Sequence, residues 1–150
     1  MSTKTDQRAA AACLAIALAS ASLMLSGCAS EQRLDGQAYP IQTQGRTLDV
    51  QVRRDVTEIT MINTTSSPIP PGRMWINAWF SREFPGLGVG DRLTLDLYDF
   101  KDRYNVAFNG GGFFATQRPD RIMQAQIHAT GSAESPGELI GLVVVRGDEE

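Results

Sequence analysis

Side chains that could perform acid–base or metal chemistry are few in this sequence and poorly spaced for it. Carboxylates are concentrated over residues 91–102, at Asp91, Asp96, Asp99 and Asp102, with Asn105 nearby. Such oxygens could bind Ca²⁺ or exchange protons, but the spacing lacks the alternating ligands of a calcium loop. Basic residues are interleaved with them, at Arg92, Lys101 and Arg103. The pattern therefore favours a solvated, charge-balanced loop.

His128 is the sole histidine of the chain. A catalytic triad would need an activated serine beside it, and a zinc site would need several more His or Cys ligands. Strand alternation instead groups His128 with Gln124 and Gln126 on a side expected to face solvent. The run Gly110–Gly112 lacks the Lys-Ser/Thr of a phosphate loop and, following Asn109, predicts a hairpin turn. We predict no catalytic residue, no metal and no cofactor other than covalent lipid.

Two tryptophans define the main alternative to a purely structural domain. Trp75, Asn77 and Trp79 alternate within a predicted strand over residues 73–82, so period-2 geometry places them on one face. Indole faces with an amide between them could form a platform for a sugar ring or a partner protein. The pattern favours the other hypothesis, in which the tryptophans fill the core or a second packing layer, because the opposite face of that strand is also apolar. The exposure of the two indoles decides between these hypotheses.

The first residues have the composition of a secretory signal. Lys4 and Arg8 give a basic start, and residues 9–25 carry no charge and are mostly Ala, Leu, Ile and Met. That run is at the short end for a membrane-spanning helix, which needs about 20 apolar residues. No basic cluster follows it to stop transfer through the membrane.

The signal ends in Leu25-Ser26-Gly27-Cys28, which resembles the lipobox of bacterial lipoproteins. The resemblance covers only this end of the chain. It implies a diacylglyceryl group on the Cys28 sulfur, cleavage between Gly27 and Cys28, and acylation of the new amine. The residue after Cys28 is not Asp, which resembles the outer-membrane pattern more than the inner. Two alternatives remain: an unmodified Cys28 thiol, or ordinary secretory cleavage after Ala29.

The chain that would remain, residues 28–150, is mildly acidic. Removing Lys4, Arg8 and Asp6 changes the net charge from −3 to −4, which argues against a nucleic-acid partner. Cys13 would be lost with the signal, so Cys28 would be the sole cysteine and no internal disulfide could form. Stability must then come from a hydrophobic core.

Four regions are expected along the chain: a cleaved signal over residues 1–27, a lipidated flexible tether over 28–46, a β domain over 47–147 and a charged tail over 148–150. In the β domain, Leu48, Val50 and Val52 alternate with polar residues, as in a half-buried strand. Similar patterns or flanking turns predict further strands over residues 57–63, 73–82, 93–98, 104–108, 113–115, 122–129 and 139–146.

Seven or eight short strands with turns about every ten residues predict an all-β domain. This number and spacing of strands favours a single antiparallel sandwich over a barrel. This resembles the immunoglobulin-like sandwiches of envelope proteins in architecture alone. We expect a non-catalytic structural or protein-interaction domain, held on the membrane in the periplasm or at the cell surface. A carbohydrate- or small-ligand-binding domain is the alternative, with a small hydrolase least favoured. The expected partners are the membrane, through the lipid, and an envelope protein or glycan.

Overall fold

The computed structural model describes residues 36–131 and 137–145. Seven β-strands make up its regular structure, with one 3₁₀ turn at Leu97–Asp99 and no α-helix in these two ranges. The strands are β1 Arg46–Asp55, β2 Glu58–Ile62, β3 Gly72–Ile76, β4 Phe80–Phe84, β5 Arg92–Asp96, β6 Ala125–Ala129 and β7 Leu139–Val145. The predicted all-β class is confirmed.

All seven strands belong to one sheet, in the order β4-β3-β6-β7-β1-β2-β5, which curves into a half-barrel. Every neighbouring pair is antiparallel except β1 and β7, which run parallel. The expectation of a purely antiparallel sheet is therefore wrong, and a two-sheet immunoglobulin-like sandwich is not confirmed. Alternation along a strand indicates which side is buried, but it carries no information about which distant strand becomes the neighbour.

The alternation in β1, β2 and β5 directs every second side chain into the core. Val50 and Val52 on β1 and Ile59 and Met61 on β2 are at most 1% exposed, and Leu95 on β5 is 4% exposed. Removing apolar surface from water contributes about 25 cal/mol per Å², so this shared inner face is the main stabilising feature of the sheet. Polar partners on the outer face, such as Thr60 and Thr94, face solvent and hydrogen-bond to each other.

Residues 73–82, predicted as one strand, instead form the β3–β4 hairpin. Asn77 and Ala78 both have φ of 55°, and the Trp79 amide donates to the Ile76 carbonyl at 3.1 Å. Two successive left-handed residues reverse the chain with the twist that a tight hairpin needs. The sequence pattern does not predict this turn, because Ala at positive φ is uncommon and no glycine marks the position.

The strand directions separate the connections into two ends of the sheet. The odd-numbered strands run one way and the even-numbered strands the other. One end, called the loop end below, consists of residues 56–57, 77–79 and 97–124. The opposite end includes residues 63–71 and 85–91.

Residues 36–45, called the N-terminal segment below, lie along the outer face of the sheet. The Gly36 amide donates to the Arg103 carbonyl at the loop end at 3.3 Å. The Gly45 amide donates to the Leu139 carbonyl at the opposite end at 2.9 Å. The part of the predicted tether that the structure describes is therefore packed on the sheet. Gly27, Cys28 and the predicted tail over 148–150 lie outside the described residues.

Candidate functional site

Trp75 lies on the outer face of β3, yet it is covered. Its indole is 2% exposed and Tyr39 of the N-terminal segment packs edge-on against it. The Tyr39 hydroxyl donates to Gln126 Oε1 at 2.7 Å, and Gln126 Nε2 donates to Gln44 Oε1 at 2.7 Å. These contacts hold the segment over the ring, so Trp75 is not available to a ligand in this arrangement.

Asn77 has a structural position in the β3–β4 turn. Its Nδ2 donates to the Arg121 carbonyl at 2.7 Å, while its Oδ1 accepts from the amides of Met123 and Gln124 at 2.8 and 3.3 Å. The side chain thus binds the backbone that leads into β6. Its polar atoms are engaged by the protein itself.

Trp79 is the exposed member of the predicted platform. Its side chain is 47% exposed at the loop end, and Nε1 donates to Asp102 Oδ2 at 3.3 Å. The structure therefore separates the three residues: Trp75 lies beneath the N-terminal segment, Asn77 is in a turn, and Trp79 faces solvent. They do not share one accessible face.

The acidic residues of 91–102 serve mainly local structure. Asp96 Oδ1 accepts from the Tyr98 amide at 2.8 Å and caps the 3₁₀ turn. Asp99 forms an ion pair with Arg82 at 2.9 Å. Asp102 Oδ1 accepts from the amides of residues 104 and 106, at 2.8 Å each. Within the described ranges, no three His, Cys, Asp or Glu side chains come together as a metal site.

His128 lies on β6 with its backbone paired to Arg73 of β3. The alternation places it on the outer side of the sheet, but the expectation that this side faces solvent is not met, because His128 is partly buried and Gln126 is 2% exposed. A Cβ atom at Gly137 would lie 3.1 Å from His128 Nε2, so Gly137 packs closely beside the ring.

The most exposed aromatic residues of the described chain are adjacent, at Phe113 and Phe114. They are 96% and 91% exposed, and their rings form a T-shaped pair with centroids 5.0 Å apart. Residues 113–115 were predicted as a strand of a hairpin, and that prediction is wrong because they form a turn outside the sheet. Residues 109–120, called the Phe loop below, present this pair at the loop end.

Hydrogen bonds between its two ends close the Phe loop. The Asp120 amide donates to the Asn109 carbonyl at 2.9 Å, and Asn109 Nδ2 donates to the Arg118 carbonyl at 2.9 Å. The Gly111 amide donates back to Asn109 Oδ1 at 3.2 Å. A loop whose ends lie close together and whose own side chains bond within it is an Ω-loop. Loops of this type frequently carry function.

Arg54, at the end of β1, fixes the base of the Phe loop to the sheet. Its guanidinium donates to the carbonyls of Gly110 and Asp120 at 2.7 Å each, and its Nε donates to the Val56 carbonyl at 2.9 Å. The Tyr98 hydroxyl also donates to the Gly111 carbonyl. The Phe pair is thus carried on a constrained base.

Exposed apolar side chains concentrate at the loop end. Of the eleven exposed large hydrophobic residues in the described ranges, eight lie at the loop end: Val56, Trp79, Tyr98, Tyr104, Val106, Phe113, Phe114 and Met123. Single exposed hydrophobic residues are ordinary, whereas their concentration at one end marks an interaction surface. The sequence offered one clue, since Phe113-Phe114 are consecutive and a half-buried strand would have alternated apolar and polar residues.

Two further observations bear on how the chain could associate with other molecules. Within the described ranges, helical structure amounts to the three-residue turn Leu97–Asp99, far too short to cross a bilayer. Comparison with protein-family models, with curated proteins and with solved structures found no match for this chain.

Proposed function

We propose that the protein is a lipid-anchored lipoprotein of the bacterial cell envelope whose β domain is non-catalytic and binds through its loop end. The observation that carries the binding role is the exposure of Phe113 and Phe114 on a constrained loop. The lipid on Cys28 would hold the domain at a membrane, the outer membrane in preference to the inner. The domain would lie in the periplasm or at the cell surface.

The lipobox-like residues Leu25-Ser26-Gly27-Cys28 support the lipid anchor. After cleavage, Cys28 would be the first residue and the sole thiol, so no disulfide competes with its alkylation. Each buried methylene contributes about 0.8 kcal/mol, and two or more acyl chains anchor a protein stably. The protein surface then needs to contribute only orientation and partner choice.

The hydrogen bonds that hold the base of the Phe loop support a binding role. Arg54 and Asn109 hold its two ends, so the loop backbone that carries the Phe pair would lose little conformational freedom when bound. A preorganised loop keeps more of its contact energy as affinity. Trp75 is buried and Asp102 Oδ1 accepts hydrogen bonds from two backbone amides, so these two candidate residues are engaged in the fold.

Replacing Cys28 with Ser tests the anchor, with Cys13→Ser as the matched control. We expect Cys28→Ser to abolish labelling by fatty acid and to move the protein from the membrane to the soluble fraction. Cys13→Ser should change neither, because Cys13 is expected to leave with the signal. Membrane retention and normal maturation of Cys28→Ser would overturn the lipoprotein proposal.

Binding of a glycan remains the alternative, supported by the half-exposed indole of Trp79 at the loop end. It loses one ring of its platform because Trp75 is covered by Tyr39. A glycan array probed with the wild type and Trp79→Ala separates the two roles. Binding that depends on Trp79, together with no envelope partner recovered with the anchored protein, would replace the interaction role by carbohydrate binding.

A further inference from the structure

We propose that the loop end faces the same bilayer that holds the Cys28 lipid, and that Phe113 and Phe114 insert into its headgroup region. This inference rests on the proposed lipid anchor and adds an orientation and a direct lipid contact. The occupant of the apolar loop end is thus the membrane surface. Three features of the chain support it.

The first feature is the position of Gly36, the first residue that the structure describes. Gly36 is hydrogen-bonded to Arg103, so it lies at the loop end. Residues 29–35 separate it from Cys28, and an extended chain spans at most about 3.3–3.6 Å per residue. Gly36 therefore stays within about 30 Å of a lipidated Cys28. A short connection at the loop end favours an orientation with that end toward the bilayer.

The second feature is the order of residue types in the Phe loop. Residues 109–117 carry no charge and include the two exposed rings, whereas Arg118, Asp120 and Arg121 follow at the base with a net charge of +1. An uncharged tip with a net positive base matches the depth profile of a lipid interface, where rings enter the acyl boundary and guanidinium groups reach phosphates.

The third feature is the set of aromatic residues at the loop end. Trp79, Tyr98 and Tyr104 are each partly exposed at the same end, at 47%, 42% and 42%. Trp and Tyr concentrate at membrane–water interfaces because their rings are apolar and their N–H or O–H groups are polar. They would lie at the level of the headgroups while the Phe pair lies deeper.

Because the lipid already holds the domain at the membrane, a weak contact between the Phe pair and the bilayer is enough to orient it. A domain tethered through Gly36 meets the bilayer intramolecularly, at a high effective concentration. Two exposed phenylalanines would give only weak membrane binding to an untethered protein, but they can orient a domain that is already held there. A protein partner would have to compete with the lipid for this end of the sheet.

A polarity-sensitive probe on the Phe loop tests the inference in the full lipidated chain. In a Cys13→Ser background, Cys28 is blocked by its lipid, so a cysteine introduced by Phe113→Cys can be labelled alone with the fluorophore NBD. Val89→Cys is the matched control, because Val89 is an exposed hydrophobic residue at the opposite end. Both proteins are reconstituted into vesicles of phosphatidylethanolamine and phosphatidylglycerol.

We expect blue-shifted emission from the probe at 113, quenched by brominated lipids, and neither effect at 89. Phe114→Cys should repeat the result at 113 and guards against a labelling artefact at one site. Equal, water-like emission at positions 113, 114 and 89 would overturn the inference. A blue shift at 113 and 114 that appears only when detergent-extracted envelope proteins are added would also overturn it, in favour of a protein partner.

Mass spectrometry of the same samples separates this inference from the proposal on which it rests. Water-like emission from a chain with lipid on Cys28 contradicts the membrane contact and leaves the lipoprotein proposal standing. A chain that carries no lipid on Cys28 contradicts the lipoprotein proposal, whatever the probe shows.

Discussion

The ring of Tyr39 packs edge-on against the indole of Trp75, with centroids 5.3 Å apart and planes at 86°. The same tyrosine donates its hydroxyl hydrogen to Gln126, the neighbour of Trp75 across the β3–β6 pair. This relationship joins the start of the described chain to the outer face of the sheet. It explains why a tryptophan on that face is buried.

Loss of the Tyr39 contacts should loosen the N-terminal segment. Tyr39→Phe removes one hydrogen bond and is expected to lower the free energy of unfolding by about 1 kcal/mol. Tyr39→Ala also removes the ring contact, which is worth a further 0.5–1.5 kcal/mol or so, and should red-shift Trp emission as Trp75 becomes hydrated. Denaturant unfolding and fluorescence measure both effects.

Ile41→Ala is the control for these substitutions, since Ile41 belongs to the same segment but is fully exposed. It should change stability by less than about 0.5 kcal/mol. Equal effects at positions 39 and 41 would contradict the packing of the segment through Tyr39.

The β3–β4 turn should respond oppositely at its two left-handed residues. Asn77→Gly tolerates the positive φ but loses the hydrogen bonds to residues 121–124, so we expect a loss of about 1–2 kcal/mol. Ala78→Gly relieves a conformation that is costly for Ala and should raise stability by up to about 1 kcal/mol. Thermal unfolding of the two variants checks the signs; stabilisation by Asn77→Gly would contradict the role given to its side chain.

The alternation of apolar and polar residues predicted the strands that bury only one face. The alternation of Leu48, Val50 and Val52 lies within β1, and that of Leu93 and Leu95 lies within β5. The parallel pairing of β1 with β7 could not be predicted from such patterns, because it joins segments from the two ends of the described chain. Because β1 pairs with β7, the strands form one sheet and not the two sheets of the expected sandwich.

The candidate site was predicted less well, for two physical reasons. Burial of Trp75 depends on Tyr39, a residue of a polar segment whose composition is typical of a tether. The glycines before Phe113 favour a turn, but they do not supply the partner strands that a hairpin needs. In their place, side chains from elsewhere in the chain, above all Arg54, hold the Phe loop.

Arg54→Lys should release the Phe loop. A lysine ammonium cannot reproduce the planar fork that reaches Gly110 and Asp120 together. We expect a loss of about 1–3 kcal/mol and faster chymotrypsin cleavage at the Phe pair. Arg53→Lys, on the solvent-facing side of the same strand, is the control and should leave both unchanged. Identical cleavage rates for the two variants would contradict the role of Arg54.

The Phe pair itself should contribute little to folding. Because both rings are more than nine-tenths exposed, the double change Phe113→Ser with Phe114→Ser should alter stability by less than about 0.5 kcal/mol. Chemical denaturation checks this, with Phe108→Ser as a contrast, since Phe108 is fully buried and its loss should be severe. A marked loss of stability in the double variant would show that the pair packs within the domain, which contradicts a binding role.

The lipid anchor on Cys28 is the claim on which the proposed function and the membrane orientation both depend. Mass spectrometry of the N-terminal peptide, from protein purified out of bacterial membranes, tests it most directly. The account predicts a chain that begins at Cys28 with a diacylglyceryl group on sulfur and an acyl group on the amine. A chain that retains residues 1–27, or that begins at Ser30 after cleavage behind Ala29, would contradict it.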